Sequence, residues 1–164
     1  MAEPYFASSV EDLATREVIA SMSGLDFLQR IVDGELPAPP IGRVLNYRLD
    51  RVSAGQAVFC GEPTFDTMNP IGSVHGGWFG TLLDSCMACA VQTTLEAGQG
   101  YTTLEYKINI IRPLLPSSGM VEAIGDVSHR GRRTGVAEGR IVGQEDGKLY
   151  ATGSTTCLVM DLRG

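Results

Sequence analysis

Between Thr67 and Leu95 the chain carries one formally charged residue, Asp84. Its neighbours are Leu82, Leu83, Met87 and Val91. A carboxylate in such company is costly unless hydrogen bonds or a function account for it. Breaches of a local rule of this kind gather at functional sites. An ionised acid held away from bulk water can attack an electrophilic carbon or take a proton from water. The plain alternative is a buried Asp satisfied by Thr81 or Ser85.

Eight residues before Asp84 stands Gly76, in the run His75-Gly76-Gly77. The first N–H groups of a helix lack partners within it and carry a partial positive charge. Glycine lets a ligand approach that backbone closely. A carbonyl oxygen placed there would be stabilised as it gains negative charge. The alternative is a tight entry turn that needs glycine, with His75 as a helix-cap donor. Asn69, before Pro70, reads alone as a turn residue.

Arg130, Arg132 and Arg133 cluster around Gly131. Arginine suits phosphate groups, although such a turn is also an ordinary solvated surface. Four cysteines are present, and Cys86 and Cys89 have CxxC spacing. No second pair and no nearby His completes a zinc set. The pair lies inside a helical stretch, not at a helix start where a thiolate is stabilised. Reduced, buried thiols and no metal are expected.

The chain has 164 residues, a net charge of −6 and a pI near 4.8. This acidity argues against nucleic acid or an anionic membrane as partner. No run reaches the ~18 apolar residues of a membrane span. The N-terminus is acidic and lacks the apolar core of a signal peptide, so a cytoplasmic location is expected.

Two regions are expected, an N-terminal helical extension with a Pro-rich connector over 1–40 and a main domain over 41–164. Ser9 and Asp12 predict a helix start running to about Ser21, and Ser23 with Asp26 predicts a second that stops at Gly34. Pro37, Pro39 and Pro40 make a stiff connector. This front part carries no nameable chemistry. Strands are expected over 44–49 and 57–60. A helix apolar on all sides follows, about Gly76 to Ala97. The strand Tyr101–Arg112 puts Leu104, Tyr106, Ile108 and Ile110 on one face. Thr103, Glu105, Lys107 and Asn109 take the other. Strands over 120–129, 134–144 and 149–160 complete the set. The class is α+β, a long central helix wrapped by a twisted antiparallel sheet, which is the hotdog fold.

The run Asn69-Pro70-x-Gly72-x-Val74-His75-Gly76-Gly77, with Asp84 downstream, resembles the signature of PaaI-type hotdog thioesterases. Thr102 to Glu105, Asn109 to Pro113 and His129 to Arg133 continue the match. The resemblance implies hydrolysis of acyl-coenzyme A thioesters, with an aryl or medium-chain acyl group. It implies that Asp84 acts as nucleophile or general base and that the Gly76 N–H polarises the carbonyl, with Gly77 beside it. It implies assistance from Asn69 and His75, and a water held by Thr103, one register step from Thr102. It gives Arg130, Arg132 and Arg133 to the coenzyme phosphates, and needs no cofactor beyond the substrate. It further implies a homodimer, or a dimer of dimers. Asn69, His75 and Gly76 would come from one chain, and Asp84 and Thr103 from the other. A binding module without turnover and a hotdog hydratase are the competing readings. The lone acid disfavours the first, and the missing His-x-Asp pair the second. Trp78, Phe79, Met87 and Tyr106 are candidates for the acyl wall, or core.

Overall fold

The computed structural model describes residues 5–163. Six strands form one antiparallel sheet: β1 (Tyr47–Ser53), β2 (Gln56–Gly61), β3 (Gln99–Ile110), β4 (Val121–Arg130), β5 (Thr134–Gly143) and β6 (Leu149–Asp161). Their order across the sheet is β1-β2-β4-β5-β6-β3, so β1 and β3 are its edges. Four helices accompany it: α1 (Arg16–Ala20), α2 (Gly24–Val32), α3 (Pro40–Val44) and α4 (Gly76–Gln92).

The sheet wraps α4. Trp78, Phe79, Leu82, Leu83, Cys86, Met87, Ala90 and Val91 of this helix are all buried. The sheet comes close enough to need glycine. A Cβ on Gly125 in β4 would run into the Cys86 carbonyl, and one on Gly139 in β5 would press on Met87. The all-round apolar pattern of α4 is thus answered by a curved sheet. No helix among the described residues is long and apolar enough to cross a membrane.

Several expected boundaries move. The helix expected from Ser9 to Ser21 is a 3-10 turn over Val10–Asp12, then extended backbone at Leu13, then α1. Asp12 accepts from the Ser8 and Ser9 amides, which closes the turn without extending it. Thr15 then caps a separate helix by accepting from the Val18 amide. Val44 belongs to α3, not to a strand, because Pro40 stands at the helix start where proline is tolerated. Asn46, with φ of 54°, ends that helix before β1. Helix α4 ends at Gln92, short of Ala97. The Thr93 and Thr94 hydroxyls bond back to the Ala90 and Val91 carbonyls at 2.6 and 2.7 Å, which competes with continuation.

The correction that bears on function lies in β3. Its register with β6 shifts between Thr103 and Glu105. A bulge there gives Leu104 no partner and flips the alternation. Thr103 therefore faces α4, on the same side as Tyr106, Ile108 and Ile110, not opposite them.

The N-terminal segment packs on the body. The Gly24 amide donates to the Leu95 carbonyl at 3.0 Å, and any Cβ on Gly24 would strike the Gln92 carbonyl. Arg16 donates to the Leu162 carbonyl, and Ala7 bridges to Ala38.

Candidate active site

The start of α4 is set by a loop tied at several points. Asn69 Oδ1 accepts from the Ile71 and Ser73 amides at 3.1 and 3.2 Å, and Asn69 Nδ2 donates to Ser73 Oγ at 2.9 Å. The side chain closes the loop upon itself. The His75 amide donates to the Thr67 carbonyl at 2.8 Å. His75 is the residue capping α4, and its Nδ1 accepts from the Gly77 amide at 2.8 Å. As a cap it is thus an acceptor, not the expected donor. This leaves the imidazole Nε2 as the protonated nitrogen of the neutral ring.

That hydrogen bond separates the two glycines. The Gly77 N–H is taken by His75, whereas the Gly76 N–H finds no acceptor among the described residues. One backbone donor therefore stands open at a helix N-terminus, where the local field favours negative charge.

Asp84 lies two turns further on. It is half-buried, not sealed in the core. Its Oδ1 accepts from the Thr103 hydroxyl at 3.0 Å, which the bulge in β3 makes possible. The simpler partners are occupied elsewhere. Thr81 donates to the Gly77 carbonyl, and Ser85 pairs with the Tyr47 hydroxyl at 3.2 Å. Asp84 and Thr103 both line a cavity of about 460 Å³, with Tyr47, Ser85, Cys89 and Tyr101 around them.

Gly76, Gly80 and Asp84 recur every four residues and so share one side of α4. Ile110 lies over Gly76, Tyr106 over Gly80 and Thr103 over Asp84. At 1.5 Å rise per residue, Gly76 and Asp84 are roughly 12 Å apart along the axis. Within one chain they do not meet. The basic turn is more distant still. Gly135, just past it, sits against Val91 near the far end of α4. Arg130 donates to Gln99 at 3.3 Å, and its Nε is buried without a partner among the described residues. Arg132 and Arg133 are exposed. The sequence-derived residues thus fall at three stations along one helix: start, middle and end.

Trp78, Phe79 and Met87 are core, none more than 2% exposed, and do not reach the cavity. Tyr106 is on the edge strand, 46% exposed. Tyr47 and Tyr101, not singled out in the sequence, do reach it. Tyr47 lies within one expected strand and Tyr101 opens another, but nothing local marks them as facing a cavity. Burial pushes the Cys89 thiol up to about 12 and the Cys60 thiol to about 11, and raises Cys86 further. The four cysteines are free. Asp50, Cys60 and Glu122 lie close enough to share a metal, but Arg51 already pairs with both carboxylates at 2.9 Å.

The family model described as Thioesterase superfamily matches residues 71–150. No curated protein matched the chain. Among solved structures, a phenylacetic acid degradation-related protein from Ralstonia eutropha is similar at 31% identity and a TM-score of 0.72. The match covers 80% of this chain and 98% of that one. A mutant of the phenylacetic acid degradation protein PaaI from Thermus thermophilus is similar at 30% identity and a TM-score of 0.65, over 73% of this chain and 97% of that one. A thioesterase from Haemophilus influenzae is similar at 25% identity and a TM-score of 0.69, over 76% and 85%. With the hotdog sheet, the HGG helix start and the mid-helix acid in view, the chain belongs to the thioesterase superfamily as a PaaI-type thioester hydrolase.

Proposed function

We propose that this protein hydrolyses acyl-coenzyme A thioesters to the free acid and coenzyme A, in a site completed by two copies of the chain. The observation that carries the reading is the Asp84–Thr103 pair on the wall of a largely apolar cavity. The thioester carbonyl sits with its oxygen toward the Gly76 N–H of one chain and its carbon beside Asp84 of the other. Asp84 either attacks that carbon, expelling the coenzyme A thiolate and leaving an anhydride for water to cleave, or takes a proton from the attacking water. Thr103 holds the carboxylate in place, and in the second route can also hold the water. No cofactor enters either route.

Edge strand β3 supports the two-chain reading. Leu104, Tyr106 and Ile110 on it are 58%, 46% and 48% exposed. An open apolar edge is a template for pairing with another chain. If β3 pairs antiparallel with its own copy about a two-fold axis near Tyr106, Ile110 of one chain stands near Thr102 of the other. Ile110 lies on Gly76 and Thr103 on Asp84, so this pairing carries the start of one α4 towards the acid of the other. His75 and Asn69 act by fixing the helix start. Arg132 and Arg133 are suited by exposure to the pyrophosphate and 3′-phosphate, with Arg130 held by Gln99 behind them.

The test is free-thiol release from phenylacetyl-, hydroxybenzoyl-, short- and long-chain acyl-coenzyme A by wild type and Asp84→Ala. We expect turnover by wild type and a loss of at least ~100-fold in the variant, the scale of acid–base catalysis. Equal rates for the two folded proteins would refute the role of Asp84. A single turnover in isotope-labelled water separates direct attack from base catalysis.

A further inference from the structure

The segment before β1 matched no chemistry in the sequence, yet it builds half of the cavity at Asp84. One wall of that cavity comes from α4 and the sheet, with Asp84 and Thr103 on it. The opposite wall comes from Phe6, Ala14, Phe27 and Ile31 and their neighbours up to Gly42. We propose that this N-terminal segment is the selecting wall of an acyl chamber. The acyl group lies between it and α4, and the wall sets the size of the group admitted. The inference rests on the hydrolase reading of Asp84 given above.

Three observations carry it. The first is place: the acid proposed to act on the carbonyl and the N-terminal wall share one cavity, so a group bonded to that carbonyl has this space to occupy. The second is chemistry. Four polar side chains on the lining are turned on one another, Thr103 on Asp84 and Tyr47 on Ser85, and although Arg48 and Gln92 also border the cavity its surface is largely apolar. Such a surface takes alkyl or unsubstituted aryl groups and gives little return for a hydroxyl. The third is fixity. The segment is fastened to the body through Gly24 to Leu95 and Arg16 to Leu162, and to itself through Ala7 to Ala38, so the wall stands before substrate arrives. Size narrows the class. Apolar cavities of about 150 Å³ bind benzene, and this one is about 460 Å³. It has room for an arylalkanoyl or medium-chain alkanoyl group, and an acetyl group leaves it mostly empty.

Each methylene buried in the chamber should raise kcat/KM about fourfold, from ~0.8 kcal/mol of transfer energy, until the chamber is full. The experiment measures thiol release over straight-chain acyl-coenzyme A from acetyl to palmitoyl. Calorimetric binding of the matching primary alcohols, which carry no thioester, runs beside it. Wild type is compared with Phe27→Ala, which widens the chamber, and Ala14→Trp, which fills it. Circular dichroism confirms that each is folded. We expect the optimum and the longest alcohol bound to move up for Phe27→Ala and down for Ala14→Trp. Unshifted length profiles in both folded variants, with no alcohol binding, would overturn the wall and leave the hydrolase reading standing. Shifted alcohol limits with no thiol release from any ester would uphold the chamber and remove coenzyme A thioesters as the substrate.

Discussion

The start and the middle of α4 differ in what they can offer a reaction. At the start, side chains are spent on the backbone: Asn69 on its own loop, and His75 on Gly77. What remains is a backbone donor, the Gly76 N–H. In the middle every backbone N–H is committed to the helix, and what remains is a side chain, Asp84, with Thr103 against it. Helix geometry imposes this division, because unpaired N–H groups exist only in the first turn. An electrophile needs a donor for its oxygen and an acid or base for its carbon at one place. One straight helix cannot supply both, since the two stations are roughly 12 Å apart. A second helix brought alongside can.

The sharpest way to break the comparison is to remove each station separately. Gly76→Pro deletes the open N–H at a position where proline is tolerated, and His75 already has the extended backbone that a following proline requires. We expect a loss of about 10²- to 10³-fold in kcat with an unchanged melting temperature, as for an oxyanion-hole donor. Mixing unfolded Gly76→Pro and Asp84→Ala chains and refolding them together should restore part of the activity. Each mixed dimer then holds one site with both stations intact. No recovery from demonstrated mixed dimers would place both stations in one chain.

A smaller effect is expected from Thr103→Val, which keeps the shape and removes the hydroxyl from Asp84. A hydrogen bond to a charged group is worth about 1.5 kcal/mol, so kcat should fall about tenfold. The same change in Thr102 should do little, since Thr102 is exposed and lies on the other face of β3. Steady-state rates of the two variants decide between the registers.

A last effect falls on stability and concerns two buried thiols, Cys89 on the cavity lining and Cys60 in β2. Thiols that ionise near 9.0 in the unfolded chain stay neutral in the fold, to about 11 at Cys60 and about 12 at Cys89, because burial penalises the thiolate. Their raised values mean that the associated stability is complete below pH 9 and is lost as pH rises through 11 and 12. The slope is at most about 1.4 kcal/mol per pH unit for each group. Melting temperatures from pH 7.5 to 10.5 should decline, and Cys89→Ala should flatten the decline. A melting temperature independent of pH would contradict the burial of these thiols.

The sequence made the fold legible where its signals were long and periodic. The apolar stretch after His75 announces a buried helix, and the basic turn at Gly131 separates two of the strands. It failed where short polar residues compete with the backbone. Asp12 closed a turn that reads as a helix start, and Thr93 stopped a helix that reads as five residues longer. It failed again at β3, where simple alternation set Thr103 against Tyr106. A bulge is one unpaired residue, and no residue type at Leu104 declares it.

By itself the sequence determined the chemistry available. One acid in an apolar helix and one glycine pair at its start are facts of residue type and spacing, and they hold whatever the surroundings. Tertiary structure alone decided the rest. It turned Thr103 onto Asp84, spent the Gly77 N–H on His75 and left that of Gly76 open. It also folded a chemically silent N-terminal segment over the acid to make a chamber. Each of these depends on which distant groups meet, and that residues 14 and 84 share one cavity and that 84 and 103 touch is written in packing, not in local pattern.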